Sequence, residues 1–115
     1  MTPRQITPRY SVSPQIEPTD LPAIAAAGFT KVICNRPDSE VPAELQSEAI
    51  RIAAEAAGLT FEKLELTHQT MTPENVARQA EMIEHSDGPV FAYCASGTRC
   101  SVVWALGQAG QGRGG

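Results

Sequence analysis

Basic residues are scarce in this chain: only 9 of its 115 residues are Lys or Arg, and the formal net charge is -4. A nucleic-acid binder or a protein held on anionic lipid needs a positive surface, so the balance argues against both as the main role. A small anionic substrate remains open, because one arginine in a loop suffices for it. No apolar run approaches the length of a membrane span. No apolar segment follows Met1-Thr2-Pro3-Arg4-Gln5, so no secretory signal is expected. Cysteine is sparse and odd in number, three in all. That fits reduced thiols in the cytoplasm better than a disulfide framework. Zinc-type spacing is also lacking. Cys94 and Cys100 lie six apart, and His68 and His85 form no ligand pair with them. Neither a metal nor a cofactor is expected.

What is present is enough apolar material, 42% of residues, for the modest core of one domain over residues 1–106. Pro3, Pro8, Pro14 and Pro18 punctuate the start, with Tyr10, Val12 and Ile16 at even positions between them. That pattern predicts one or two edge strands. Thr19 or Asp20 is placed to cap a helix through Leu21, Pro22 and Ile24, ending at Gly28. Phe29 to Cys34 (FTKVIC) reads as a buried strand, followed by a turn from Asn35 to Ser39. A second helix is expected to start at Pro42, with Leu45, Ala49, Ile52, Ala53 and Ala56 at helical spacing, and to stop at Gly58.

Phe61, Leu64 and Leu66 mark a third strand. Thr72-Pro73-Glu74 opens a third helix with Val76, Ala80 and Ile83 on its apolar side. Asp87-Gly88 turns the chain into the apolar strand PVFAY, residues 89–93. A fourth helix follows from about Cys100 to Leu106, with Val102, Val103 and Trp104 assigned to core packing. The final stretch, GQAGQGRGG, carries five glycines in nine residues. Residues 107–115 are therefore expected to be a disordered tail, because each glycine gives up too much backbone entropy in a helix. Strands alternating with helices predict an α/β domain, a mostly parallel central sheet flanked by helices in three layers. Ligands of such sheets sit beyond the C-terminal strand ends.

The chemistry-bearing segment is Cys94-Ala95-Ser96-Gly97-Thr98-Arg99, between PVFAY and a helix. A strand-to-helix turn aims successive N–H groups at one point and makes an anion site. Gly97 lets the loop wrap, by a positive φ or by close approach of backbone to ligand. Arg99 adds a planar fork of donors. The same field acts on Cys94 and lowers its pKa to roughly 4–7, so that the sulfur is a thiolate and a nucleophile. The backbone of Ala95, Ser96, Gly97 and Thr98 is the substrate cradle. Four further residues are accessory candidates. Arg36 reaches the substrate or pairs with Asp38 or Glu40. Asp38 and His68 are titratable and could serve as a proton donor. Cys100 is a resolving thiol or a small buried apolar residue.

Four stretches resemble the phosphatase-like domain of beta-lactamase hydrolase-like proteins. They are SVSPQIEPTDLPAIAAAGF, KVICNRPDSE with its N-R-P-D-x-E turn, EAIRIAAEAAGLTFEKLEL, and GPVFAYCASGTRCSVVWAL, together covering residues 11 to about 106. The resemblance implies a cysteine-phosphatase-like fold and an activity described both as phosphatase and as rhodanese-like sulfurtransferase. It implies Cys94 as nucleophile and Arg99, with the backbone from Ala95 to Thr98, as oxyanion cradle. Relatives usually carry a hydroxyl residue where this chain has Cys100, and usually continue with another helix. Cysteine phosphatases of this fold place one more residue between Cys and Arg and usually a His before the Cys. Here Tyr93 precedes Cys94, and the loop has the shorter rhodanese-like length. The expected activity is therefore sulfur transfer through a Cys94 persulfide. The alternatives are a phosphomonoester hydrolase acting through a cysteinyl-phosphate and an inactive oxyanion-binding module. The substrate expected is a small anion, thiosulfate or a persulfide or a phosphate ester, and a sulfur-metabolism enzyme is a candidate partner.

Overall fold

The structure is a computed structural model that describes residues 1–111. Its strands are β1 (Arg4–Thr7), β2 (Tyr10–Ser13), β3 (Lys31–Cys34), β4 (Thr60–Lys63) and β5 (Val90–Tyr93). They form one sheet in the order β1-β2-β5-β3-β4. The β2, β5, β3 and β4 strands are parallel, and β1 pairs antiparallel at the edge beside β2. Of the two strands expected at the start, only β1 is at an edge. β2 is paired on both sides and buried along its length. Residues 107–111 are helical, and residues 112–115 of the expected tail lie outside the described residues.

Four helices cover the sheet: α1 (Leu21–Ala26), α2 (Ser47–Ala56), α3 (Pro73–Glu84) and α4 (Thr98–Gln111). The two-residue period of the strands decides the layers. Val90 and Ala92 of β5, with Ile33 of β3, face one core, which Met82 of α3 and Cys100 and Val103 of α4 close. Phe91 and Tyr93, with Val32 and Cys34, face the other core, which Leu21, Ile24, Ile50 and Ala54 of α1 and α2 close. Each fully buried Ile, Leu or Phe contributes roughly 1.5–3 kcal/mol. Phe91 adds an edge-to-face contact with Phe29, with ring centroids 5.3 Å apart. Among the described residues no helix is long and apolar enough to cross a membrane.

Local chemistry explains where the elements depart from expectation. The first helix is preceded by a reciprocal cap in which Asp20 accepts from the Glu17 N–H at 2.9 Å. Pro42 does not start α2. It precedes a short 3-10 turn, Ala43–Leu45, and the α-helix begins only at Ser47. The reason is Asp38, whose carboxylate accepts from the Ser47 N–H at 2.7 Å and the Ser47 hydroxyl at 3.0 Å, capping the helix from a distant turn. The buried face of α2 then runs through Ser47, Ile50 and Ala54, and Ile52 is exposed. For α3 the expected cap holds, with Thr72 Oγ1 accepting from the Asn75 N–H at 3.2 Å.

The largest departure is α4, which continues past Leu106 to Gln111 despite its glycines. Gly107 explains how. A Cβ there would lie 3.6 Å from the Ala80 Cβ and 3.8 Å from Val76 Cγ1. Those are ordinary contacts, so the position does not demand glycine; it is buried at the crossing of α3 and α4, and the packing of the two helices offsets the entropic cost of about 1 kcal/mol. Of the residues assigned to core packing, only Val103 is buried. Trp104 is partly covered and Val102 is exposed, because α4 turns that side outward.

Candidate active site

The chain crosses back over the sheet to reach β5, which lies between β2 and β3. The loop after β5 therefore opens between the C-terminal ends of its two parallel neighbours. Its path is fixed by the Cys94 N–H donating to the Ser13 carbonyl at 3.2 Å and the Gln15 N–H donating to the Ala95 carbonyl at 3.3 Å. Gly97 has φ +91°. A Cβ there would meet the Ser13 backbone only at an ordinary 3.5 Å. It is the left-handed φ that calls for glycine. Ser96 and Thr98 are exposed, and their hydroxyls bond to each other at 2.9 Å. Their side chains thus tighten the turn, leaving the backbone to form the cradle.

Cys94 is fully buried at the base of the loop. The Gly97 N–H donates to its Sγ at 3.1 Å. The Cys100 thiol is the largest influence on its titration. With the N–H groups of Cys100, Ser96 and Gly97 it outweighs the upward push of burial and brings the Cys94 pKa down to about 5. Cys100 itself is buried and pushed well above an ordinary thiol, first by burial and then by the Cys94 sulfur it donates to. Cys100 is thus a neutral S–H donor to an ionised neighbour, a role that neither sequence expectation covered. A protonated buried thiol is a poor attacking group for resolution.

Arg99 reaches the site by another route than expected. It is not among the leading causes of the Cys94 shift. Its guanidinium makes a paired contact with Glu40, Nη1 to Oε2 at 3.0 Å and Nη2 to Oε1 at 2.8 Å, and Nη1 also donates to the Leu66 carbonyl at 2.9 Å. Glu40 is shared. Arg36 Nε donates to Oε1 at 3.1 Å, while Arg36 Nη1 donates to Gln15 Oε1 at 3.2 Å. Arg99 first, and then Arg36, hold the Glu40 carboxyl below its usual range against burial. Of the two readings of Arg36, the structure shows pairing, with Glu40 and not with Asp38.

Asp38 is engaged by partners of its own. Burial pushes its pKa up, but the Ser47 N–H and hydroxyl and the Lys63 ammonium, 3.0 Å away, outweigh this and keep it ionised. It is an anchor for α2 and β4. His68 is exposed and lines a cleft of about 500 Å³ with Glu40, Met71, Thr98, Arg99 and Val102. The structure therefore brings Cys94, Arg99, the loop backbone and Cys100 together, sets His68 at the rim, and sends Asp38 elsewhere. Among the described residues no group of three His, Cys, Asp or Glu could hold a metal ion.

Residues 3–111 match the family model described as beta-lactamase hydrolase-like protein, phosphatase-like domain. The chain belongs to this family. A beta-lactamase hydrolase-like protein of Agrobacterium fabrum is 32% identical over 109 residues, 95% of this chain and 25% of that protein. One from Xylella fastidiosa is 29% identical over 108 residues, with 94% and 25% covered. The chain thus spans about a quarter of the length of these relatives. A crystal structure from Neisseria meningitidis, described as a "putative phosphatase", aligns with TM-score 0.85 at 33% identity, covering 95% of this chain and 78% of that one. A Shewanella putrefaciens structure shares the fold, with TM-score 0.78 at 24% identity, covering 97% and 70%. The chain is a phosphatase-like domain with the expected mixed α/β architecture.

Two features of the site go beyond the sequence expectations. Glu40, expected only as a possible partner of Arg36, closes the N-R-P-D-x-E turn and is also the counter-ion of Arg99. Opposite charge on neighbouring strand ends was the available signal. Gln79 sits fully buried on the inward side of α3. A lone amide among Val76, Ala80 and Ile83 was the signal there.

Proposed function

We propose that this domain is a cysteine-nucleophile group-transfer enzyme working as a rhodanese-like sulfurtransferase. The observation that carries this reading is the buried Cys94 sulfur under loop N–H donors, with the carboxylates of the adjoining turn, Asp38 and Glu40, taken up in ion pairs. Both are held ionised. A leaving alkoxide needs a proton, whereas sulfite leaves without one. In the first step the Cys94 thiolate attacks the outer sulfur of thiosulfate. A Cys94 S–S bond forms, the S–S bond of thiosulfate breaks, and sulfite departs with the electron pair. The N–H groups and Arg99 stabilise the persulfide anion and the departing charge. In the second step an acceptor nucleophile, cyanide in an assay, attacks the outer sulfur and Cys94 leaves as thiolate.

Phosphomonoester hydrolysis is the second reading, favoured by His68 at the rim of the cleft, where a titratable group could face a leaving oxygen. Two assays separate them, thiosulfate with cyanide and p-nitrophenyl phosphate. Sulfur transfer predicts thiocyanate, and a gain of about 32 Da on the Cys94 peptide after thiosulfate alone. Turnover of the phosphate ester with no mass gain would replace it by the second reading. Neither activity, with retained oxyanion binding, would leave only a binding module.

A further inference from the structure

Behind the loop runs a chain of buried polar side chains that no step above uses. Asn35, at the end of β3, and Gln79, on α3, form a reciprocal amide pair with Nδ2 to Oε1 and Nε2 to Oδ1 both 3.0 Å. The second Asn35 hydrogen goes to the Leu64 carbonyl at 2.8 Å. The second Gln79 hydrogen goes to the Tyr10 hydroxyl at 3.3 Å. Tyr10 then donates its one hydrogen to the Cys100 carbonyl at 2.8 Å. All three side chains are at most 1% exposed. Every donor is used, so the direction of each bond is set.

We propose that Asn35, Gln79 and Tyr10 are positioning residues that hold the two walls of the site in register. One wall is the first turn of α4. Tyr10 pins it by the Cys100 carbonyl, whose own residue turns both N–H and thiol toward Cys94. The other wall is the clamp on Arg99. The Leu66 N–H donates to the Asn35 carbonyl at 2.9 Å, and the Leu66 carbonyl accepts from Arg99. Asn35 also opens the turn that carries Glu40. A buried network of this kind is costly if half-satisfied, so it tolerates one arrangement only. The proposal rests on Cys94 being the reacting group.

The test reads Cys94 itself. Iodoacetamide alkylation, quantified on the Cys94 peptide from pH 4 to 8, reports the thiolate fraction. The unmodified protein is expected to show a midpoint of about 5. Tyr10→Phe should raise it by about one unit, the scale of one weakened hydrogen bond to a charged sulfur. Gln79→Met keeps the Tyr10 hydroxyl and bonds neither cysteine. It should shift the midpoint the same way by less, and it serves if Tyr10→Phe does not fold. Val12→Ala thins the same core and removes no hydrogen bond of the network. It should lower the melting temperature and leave the midpoint in place. A folded Tyr10→Phe or Gln79→Met with an unmoved midpoint, or an equal shift in Val12→Ala, overturns the proposal. The readout is independent of turnover, so loss of the sulfurtransferase reading would be seen separately.

Discussion

Cys34 and Cys94 end neighbouring parallel strands, and both are buried. Cys34 pairs in register with Tyr93, so the two cysteines stand one residue apart along the sheet. They titrate in opposite directions. The two-residue period turns Cys34 toward α1 and α2 and Cys94 toward α3 and α4. Behind Cys34 the chain enters Asn35-Arg36-Pro37. Its thiol donates to the Arg36 carbonyl at 3.4 Å, and burial pushes it above an ordinary thiol. The buried Tyr93 hydroxyl on that face lies against the Cys34 sulfur and opposes that push without overcoming it. Behind Cys94 the chain enters a loop in which the N–H groups of Ser96 and Gly97, with the N–H and thiol of Cys100, donate to the sulfur. Burial is common to both. The Cys100 thiol first, and then the N–H groups of the loop, bring the Cys94 sulfur down, whereas burial leads at Cys34.

The strongest break in that comparison is Cys94→Ser. Turnover on whichever substrate is active should fall at least about a thousandfold with the fold retained, measured by kcat and circular dichroism. Unchanged turnover would remove the assignment. Next is the clamp. Glu40→Gln keeps the size and removes the charge, freeing Arg99. It should lower kcat/KM by roughly ten- to a hundredfold. An effect under twofold would show that Arg99 needs no anchor.

Cys100→Ala removes the leading donor to Cys94. The alkylation midpoint should rise from about 5 by about one unit, so that near pH 5 the reaction slows roughly fivefold, while at pH 8 it changes little. The sign follows from the donor favouring the ionised form: losing it favours the thiol. Cys100→Ser should restore most of the shift, since a hydroxyl also donates. The smallest effect is expected on the opposite face. Cys34→Ala should cost about 1 kcal/mol of stability by denaturant unfolding and change turnover by less than twofold.

Much of this was readable from residue order. Alternating apolar strands and capped helices imply the parallel sheet. A cysteine, a glycine and an arginine between PVFAY and a helix mark the loop. Asp38 shows where the reading stopped. Its turn position and charge suit a proton donor, but its actual partners, Ser47 and Lys63, lie 9 and 25 residues away. The glycines after Leu106 read locally as a break. Only the packing of α4 against Ala80 and Val76 of α3 carries the helix through Gly107.

Sequence by itself determined the alternation of elements and the N–H-rich turn after Tyr93, because both depend on neighbours within a few residues. Tertiary structure alone decided which carboxylate holds Arg99, which thiol donates to Cys94 and how far α4 runs. Those outcomes depend on groups brought together from distant segments, where geometry and burial choose among partners that composition leaves equal.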